Sequence, residues 1–215
     1  MLDKTKPLIY LITEGKLTDA NFVDESERLL NVIRVAVSVG IPLIQIREKC
    51  LSARLIFRLV NKAVALKTKQ TKILVNERTD IAFIAGADGV HLPSESIPVE
   101  DIRRKFPRDF LIGVSCHNKD ECIKAMISGA DFVTVSPIFE VPGKGKPKGI
   151  EFLKQIAEEM APFPVIGLGG VNQENYKQVL QVASGFAAIR FLNDETNLRS
   201  FEKLYAERLF DDSRS

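Results

Sequence analysis

The chain has no tryptophan, only two histidines and three cysteines in 215 residues, and no apolar run near the ~20 residues of a membrane-spanning helix. Each scarcity excludes something. Without such a run, and with no apolar core in the opening Met1–Pro7 stretch, neither a membrane contact nor a secretory leader is expected, and the cytoplasm is the expected compartment. Cys50, Cys116 and Cys122 are odd in number and follow no metal or disulfide spacing, so they are expected to be small buried side chains in a reducing compartment. A net charge of +2, from 30 basic and 28 acidic residues, is too small for a nucleic-acid footprint. What remains is the composition of an ordinary globular protein, 45% hydrophobic and 27% charged.

The chain does have rhythm. Eight short apolar runs alternate with amphipathic stretches: Leu8–Ile12, Leu43–Ile46, Ile73–Val75, Gly89–Leu92, Leu111–Val114, Phe132–Val135, Pro164–Leu168 and Phe186–Ile189. Near-continuous Val, Ile and Leu between helices implies parallel strands, which need long crossovers and bury both faces. Eight such units predict an α/β fold of (β/α)8 TIM-barrel type, with residues 1–215 as one domain. An open doubly wound sheet is the alternative. In a barrel the chemistry sits at the carboxyl ends of the strands, so strand-end residues become the site candidates.

Apolar stripes predict outer helices over Glu25–Val39 and Ala53–Leu66, with others over Thr79–Ala85, Asp101–Phe106, Lys119–Ser128, Ile150–Met160, Glu174–Val182 and Leu198–Leu209. Small-residue turns precede three strands, at Gly86-Ala-Asp88, Gly129-Ala-Asp131 and Ala183-Ser-Gly185. Their repetition reads as architecture, not ligand binding. Glu140–Lys148, rich in Gly, Pro and Lys, reads as a basic lid over an anion.

Among strand-end residues, Gln45, Arg47 and Lys49 alternate onto one side if the second strand runs that far, bringing an amide and two cations to one anion. Asn76 offers a donor and an acceptor for a heterocycle edge, and the adjacent Glu77 an oxygen ligand for Mg2+; the competing reading is a helix cap. His91 and Ser115 end the fourth and fifth strands, and His117, two residues on, is the first candidate for proton transfer. Lys144 belongs to the basic segment. Gly169 and Gly170 follow the seventh strand and Arg190 the eighth, where this fold recurrently cradles phosphate.

Taken together, the segments Tyr10–Thr13, Gln45–Lys49, Val75–Ala82, Gly86–Leu92, Ile112–His117, Pro137–Phe139 and Pro164–Gly170 resemble the thiamin phosphate synthase and TenI family. For the synthase branch the resemblance implies a Mg2+-assisted displacement, in which a hydroxymethylpyrimidine diphosphate loses diphosphate and is captured by the nitrogen of a thiazole phosphate. By position Gln45, Arg47, Lys49 and Asn76 match residues for the pyrimidine diphosphate, Lys144 a diphosphate contact, and Gly170 a thiazole-phosphate contact.

Several positions depart from the synthase pattern. Glu77 and Ser96 stand where two aspartates are expected, Glu140–Lys144 replaces a threonine-rich loop, and Arg190 replaces a serine. Leu92–Ser96 and Ile102–Phe106 look more like the TenI branch. That branch implies a thiazole tautomerase, needing no cofactor, with His117 moving the proton and a phosphorylated thiazole as ligand. The sequence favours it over a Mg2+-dependent synthase that also takes a pyrimidine diphosphate. A third reading is a binding or regulatory homologue that has lost catalysis. A homo-oligomer is compatible with all three, since small barrels can expose apolar helix faces to a second copy.

Overall fold

The computed structural model describes residue 2 and residues 5–205. Strands β1 (Leu8–Ile12), β2 (Leu43–Ile46), β3 (Lys72–Asn76), β4 (Gly89–Leu92), β5 (Leu111–Cys116), β6 (Phe132–Val135), β7 (Val165–Leu168) and β8 (Gly185–Ala188) are all parallel. They pair in chain order, and β8 returns to β1 to close the cylinder. The fold is a TIM barrel. Outside it lie α1 (Phe22–Val39), α2 (Ala53–Leu66), α3 (Thr79–Ile84), α4 (Val99–Lys105), α5 (Lys119–Ile127), α6 (Gly149–Met160) and α7 (Tyr176–Val182). A 3-10 turn (Phe191–Asn193), α8 (Glu195–Arg199) and α9 (Glu202–Tyr205) follow β8. Among the described residues no helix is long and apolar enough to cross a membrane.

The two-residue pleat divides the strands into two cores. Leu8, Tyr10, Ile12, Leu43, Leu74, Leu111, Phe132, Ile166 and Ala187 pack together inside the cylinder. The alternate residues, such as Ile9, Ile44, Ile73, Val90 and Val133, pack outward with the helices. In α2 the buried residues Leu55, Ile56, Leu59, Val60 and Ala63 repeat at helical spacing, each Leu or Ile stabilising the wall by about 1.5–3 kcal/mol. Phase then decides which strand-end side chains face the mouth.

The repeated small-residue turns have a common task. Asp88 accepts a hydrogen bond from the N–H of Ile73 (2.9 Å), Asp131 from that of Ile112 (2.8 Å), and Ser184 Oγ from that of Val165 (3.2 Å). Each side chain ties the turn before an even-numbered strand to the backbone of the odd-numbered strand preceding it. Arg103, in the basic stretch of α4, is spent on the same framework: it pairs with Asp131 at 2.6 Å and donates to the carbonyls of Gly129 and Phe110.

Two expectations change. The single helix predicted over Leu198–Leu209 is broken, because α8 starts at an Asp194 cap and ends where the Ser200 hydroxyl donates to the Asn197 carbonyl (2.6 Å); residues 206–209 lie outside the described ones. Cys116 and Cys122 are buried, but Cys50 is exposed.

Candidate functional site at the mouth of the barrel

Continuing the inward phase beyond the apolar core brings Gln45, Asn76, His91, Ser115 and Thr134 into a polar layer beneath the mouth. Gln45, only 2% exposed, donates through Nε2 to Asn76 Oδ1 at 3.0 Å. This bond uses one end of each amide. The Gln45 carbonyl oxygen and the Asn76 amino group make no other hydrogen bond to a described residue, which leaves an acceptor and a donor side by side. Asn76 does not cap α3: Arg78 occupies that position.

His91 lies deeper than its strand-end position suggests. It is 3% exposed, with Tyr10 Oη 3.2 Å from Nδ1 and Ser115 Oγ 2.9 Å from Nε2. Burial, and secondarily the charge of Arg47, lowers its pKa to about 3. The ring is therefore neutral at ordinary pH and reaches the mouth only through Ser115. Because the folded pKa is below the unfolded value of about 6.5, the unfolded chain binds the extra proton between those limits. Stability present above pH 6.5 is then lost as pH falls towards 3, by up to about 1.4 kcal/mol per pH unit. Urea midpoints followed across that window should show a shallower acid loss in His91→Gln than in the parent protein; parallel curves would contradict the neutral assignment.

After Gln45 the chain divides its charges. The Arg47 N–H donates to Thr13 Oγ1 at 2.8 Å, and the guanidinium leans towards the loop after β1, where a Cβ built on Gly15 would lie 3.4 Å from Arg47 Nη1. Lys49 instead lines a cavity of about 310 Å³ with Asn76, Glu77 and Arg78. β2 ends at Ile46, so the strand alternation expected to aim Arg47 and Lys49 the same way stops before either residue. Glu48 turns inward and accepts from the N–H groups of Gly15 (3.0 Å) and Leu17 (2.9 Å).

Glu77 has a φ of 63°, the one positive value at a non-glycine among the described residues. Such backbone costs of order 1 kcal/mol and concentrates at functional sites. Here it lets the Glu77 N–H reach the His91 carbonyl (2.9 Å) while the Glu77 carbonyl accepts from Thr79 (3.0 Å). The carboxylate is exposed and has no hydrogen bond or ion pair with another described residue. Ser96 lines a different cavity, of about 210 Å³, with Ser94, Ser115 and Lys124.

His117 is exposed at the end of β5. Its Nδ1 lies 3.0 Å from the Ser136 carbonyl oxygen, which can only accept, so Nδ1 carries hydrogen and the neutral ring keeps a lone pair on Nε2. Its backbone is also fixed. The His117 N–H donates to Glu121 Oε2 at 2.7 Å, and the Glu121 N–H returns a bond to the Asn118 cap at 2.9 Å.

The opposite side of the mouth is a cavity of about 870 Å³ whose walls include Ser136, Lys144, Gly169, Gly170 and Arg190. The Lys144 and Arg190 side chains are exposed, and neither has an ion pair with a described residue. The basic segment reaches the cavity through Glu140, Val141 and Lys144. It is anchored where the N–H of Lys148 meets the Pro137 carbonyl (2.8 Å). Gly170 has a φ of 70°, and a Cβ there would sit 2.7 Å from both the Glu140 carbonyl oxygen and Phe139 Cβ. Gly170→Ala should therefore push the cradle open and weaken phosphate-ester binding by about 10-fold or more, the worth of a charge-assisted hydrogen bond. Calorimetric titration would detect it, and unchanged affinity would remove Gly170 from the site.

The family model described as thiamine monophosphate synthase (TMP-TENI) matches residues 9–192. The chain belongs to this family. It is 31% identical over 185 residues to the thiamine-phosphate synthase of Syntrophomonas wolfei, covering 84% of this chain and 85% of that one. With the thiamine-phosphate synthase of Methanoregula boonei it shares 35% identity over 176 residues, covering 80% and 78%. The thiamine phosphate pyrophosphorylase structure from Pyrococcus furiosus superposes with a TM-score of 0.73 at 27% identity, covering 93% of this chain and 96% of that one. The family assignment makes the protein a thiamin-pathway enzyme.

Sequence reasoning names Gln45, Asn76, His91 and Ser115 but passes over Tyr10 and Thr134, which are fully buried beneath the mouth. Both lie within apolar strand runs, where their hydroxyls look incidental until the strand phase is known.

Proposed function

We propose that this enzyme is a thiamin phosphate synthase, joining a hydroxymethylpyrimidine diphosphate to a thiazole phosphate with release of diphosphate. One observation carries the reading: the mouth offers recognition at two ends. Lys49, Asn76 and Glu77 line the cavity by β2 and β3, whereas Lys144, Gly169, Gly170 and Arg190 line that by β6 to β8. A reaction between two anionic substrates needs both; a one-substrate isomerisation needs one. The names of the relatives support the same choice.

The Gln45 oxygen and the Asn76 amino group are complementary to an amino group beside a ring nitrogen on the pyrimidine. Arg47 and Lys49 offset the charge that grows on diphosphate as the C–O bond breaks and its electron pair leaves with the oxygen. The thiazole nitrogen supplies the pair for the new C–N bond, so the step balances without an oxidant or base. Backbone N–H groups at Gly169 and Gly170, with Arg190, hold the thiazole phosphate.

Mg2+ fits this donor set in a restricted way. Among the described residues no three of His, Cys, Asp or Glu cluster as a metal cage, but Mg2+ commonly uses one or two carboxylates plus substrate phosphates. The unpaired Glu77 would hold it together with the diphosphate. When bound it supplies further charge stabilisation to the leaving group.

Thiazole tautomerisation, the reading the sequence alone favours, retains one specific support in the free Nε2 of His117. Paired assays separate the two. The synthase reading expects thiamin phosphate from both substrates with Mg2+, and equimolar diphosphate; metal-independent thiazole isomerisation, abolished by His117→Ala and with no thiamin phosphate formed, would replace it.

A further inference from the structure

Inside the barrel, below the side chains assigned to substrate, three rings form a packed cluster. Tyr10 meets His91 at 5.6 Å between centroids and Phe132 edge-on at 5.5 Å, while His91 and Phe132 lie 5.9 Å apart. Gly113 makes room for them: a Cβ there would lie 2.4 Å from Phe132 Cζ and 2.7 Å from His91 Nδ1. A hydrogen-bonded line runs through the cluster towards the mouth, from Tyr10 Oη to His91 Nδ1 (3.2 Å) and from His91 Nε2 to Ser115 Oγ (2.9 Å).

The hydrogens in this line have one arrangement that satisfies every group. Tyr10 is 0% exposed, and His91 Nδ1 is the partner its hydroxyl has among the described residues. If Nδ1 carried the hydrogen, the phenolic hydrogen would be stranded in the barrel core, at a cost of about 1–3 kcal/mol. With Nδ1 bare, Tyr10 donates to it and Nε2–H donates to Ser115 Oγ; Thr134 Oγ1, at 3.5 Å, is a more distant second acceptor. Ser115 Oγ is then occupied as an acceptor. Its own hydrogen is left to point out of the core, and Ser115 is half-buried in the wall of the 210 Å³ cavity.

We infer that Tyr10 is a positioning residue: by fixing His91 as its Nε2–H tautomer, it turns the Ser115 hydroxyl into a donor for a substrate acceptor atom outside the barrel core. The substrate part of this inference rests on the synthase reading; the tautomer part does not. Tyr10 touches no substrate, so its effect must pass through His91 and Ser115.

Two measurements test it on the full chain. Two-bond 15N–1H correlation spectra of the histidine-labelled protein, with His91 assigned through His91→Gln, should show the Nε2–H tautomer in the parent and an Nδ1–H population in Tyr10→Phe, which keeps the ring. A parent in the Nδ1–H form, or a tautomer unchanged by Tyr10→Phe, would overturn the proposal. In steady-state assays Tyr10→Phe should lower kcat/KM about 5-fold, the worth of one positioned hydrogen bond. It should lower it no further when added to Ser115→Ala. Losses that multiply in the double variant would mean that Tyr10 acts by another route. If the parent makes no thiamin phosphate, the synthase reading fails on that result, while the spectra still decide the tautomer.

Discussion

Arg47→Ala is expected to lower kcat/KM for thiamin phosphate formation by about 10²- to 10³-fold, the usual cost of removing one preorganised donor from developing negative charge. The residue has the right setting for such an effect. Its backbone is held by Thr13, no carboxylate among the described residues pairs with its guanidinium, and its charge is felt by the buried His91 ring. Arg47→Lys should recover part of the loss, because it restores the charge without the planar fork. Both variants should unfold within about 0.5 kcal/mol of the parent, as expected for a half-buried side chain with no structural partner. A large fall in stability alongside activity would instead make Arg47 part of the scaffold.

Glu48→Leu, one residue further on, should show the opposite profile, losing about 3 kcal/mol of stability. Glu48 is 4% exposed and accepts from the Gly15 and Leu17 N–H groups. A hydrogen bond to a charged acceptor contributes about 1.5–3 kcal/mol, and leucine leaves both donors unmatched. The segment it clamps also walls the large cavity through Glu14 and Lys16, so faster amide exchange at Gly15 and Leu17 should accompany the lower urea midpoint. A change below about 1 kcal/mol would show that other contacts hold this loop.

These neighbours show where the sequence was informative and where it stopped. Apolar runs and stripes are local properties, so β1, β2, β4, β6 and α2 are legible to the residue, and Arg47 follows directly on the end of β2. Glu48 was not legible as a clamp. Its partners lie 31 and 33 residues away, and a strand-end acid between two cations reads as a surface ion pair. Lys49 lies beyond Ile46, the last residue of β2, so strand alternation does not fix where it points. Asn76 read equally well as cap or ligand group until Gln45, across the β2–β3 pairing, took one end of its amide.

Tyr10 is the extreme case. An aromatic residue in the middle of Leu8–Ile12 reads as core, and it is core; its hydroxyl matters because a partner 81 residues on completes the line to Ser115. The two histidines both lie at strand ends, but they differ in depth. His91 is sealed among rings, whereas His117 is held outward by the Ser136 carbonyl and the Glu121 carboxylate.

The central claim is that the two ends of the mouth hold different substrates, and the KM values of Lys49→Ala and Arg190→Ala for each substrate test it most directly. The account predicts a split: Lys49→Ala raises KM for the pyrimidine diphosphate and spares that for the thiazole phosphate, and Arg190→Ala does the reverse. If both substitutions raise the same KM, the mouth holds one anion site and the two-substrate account is wrong.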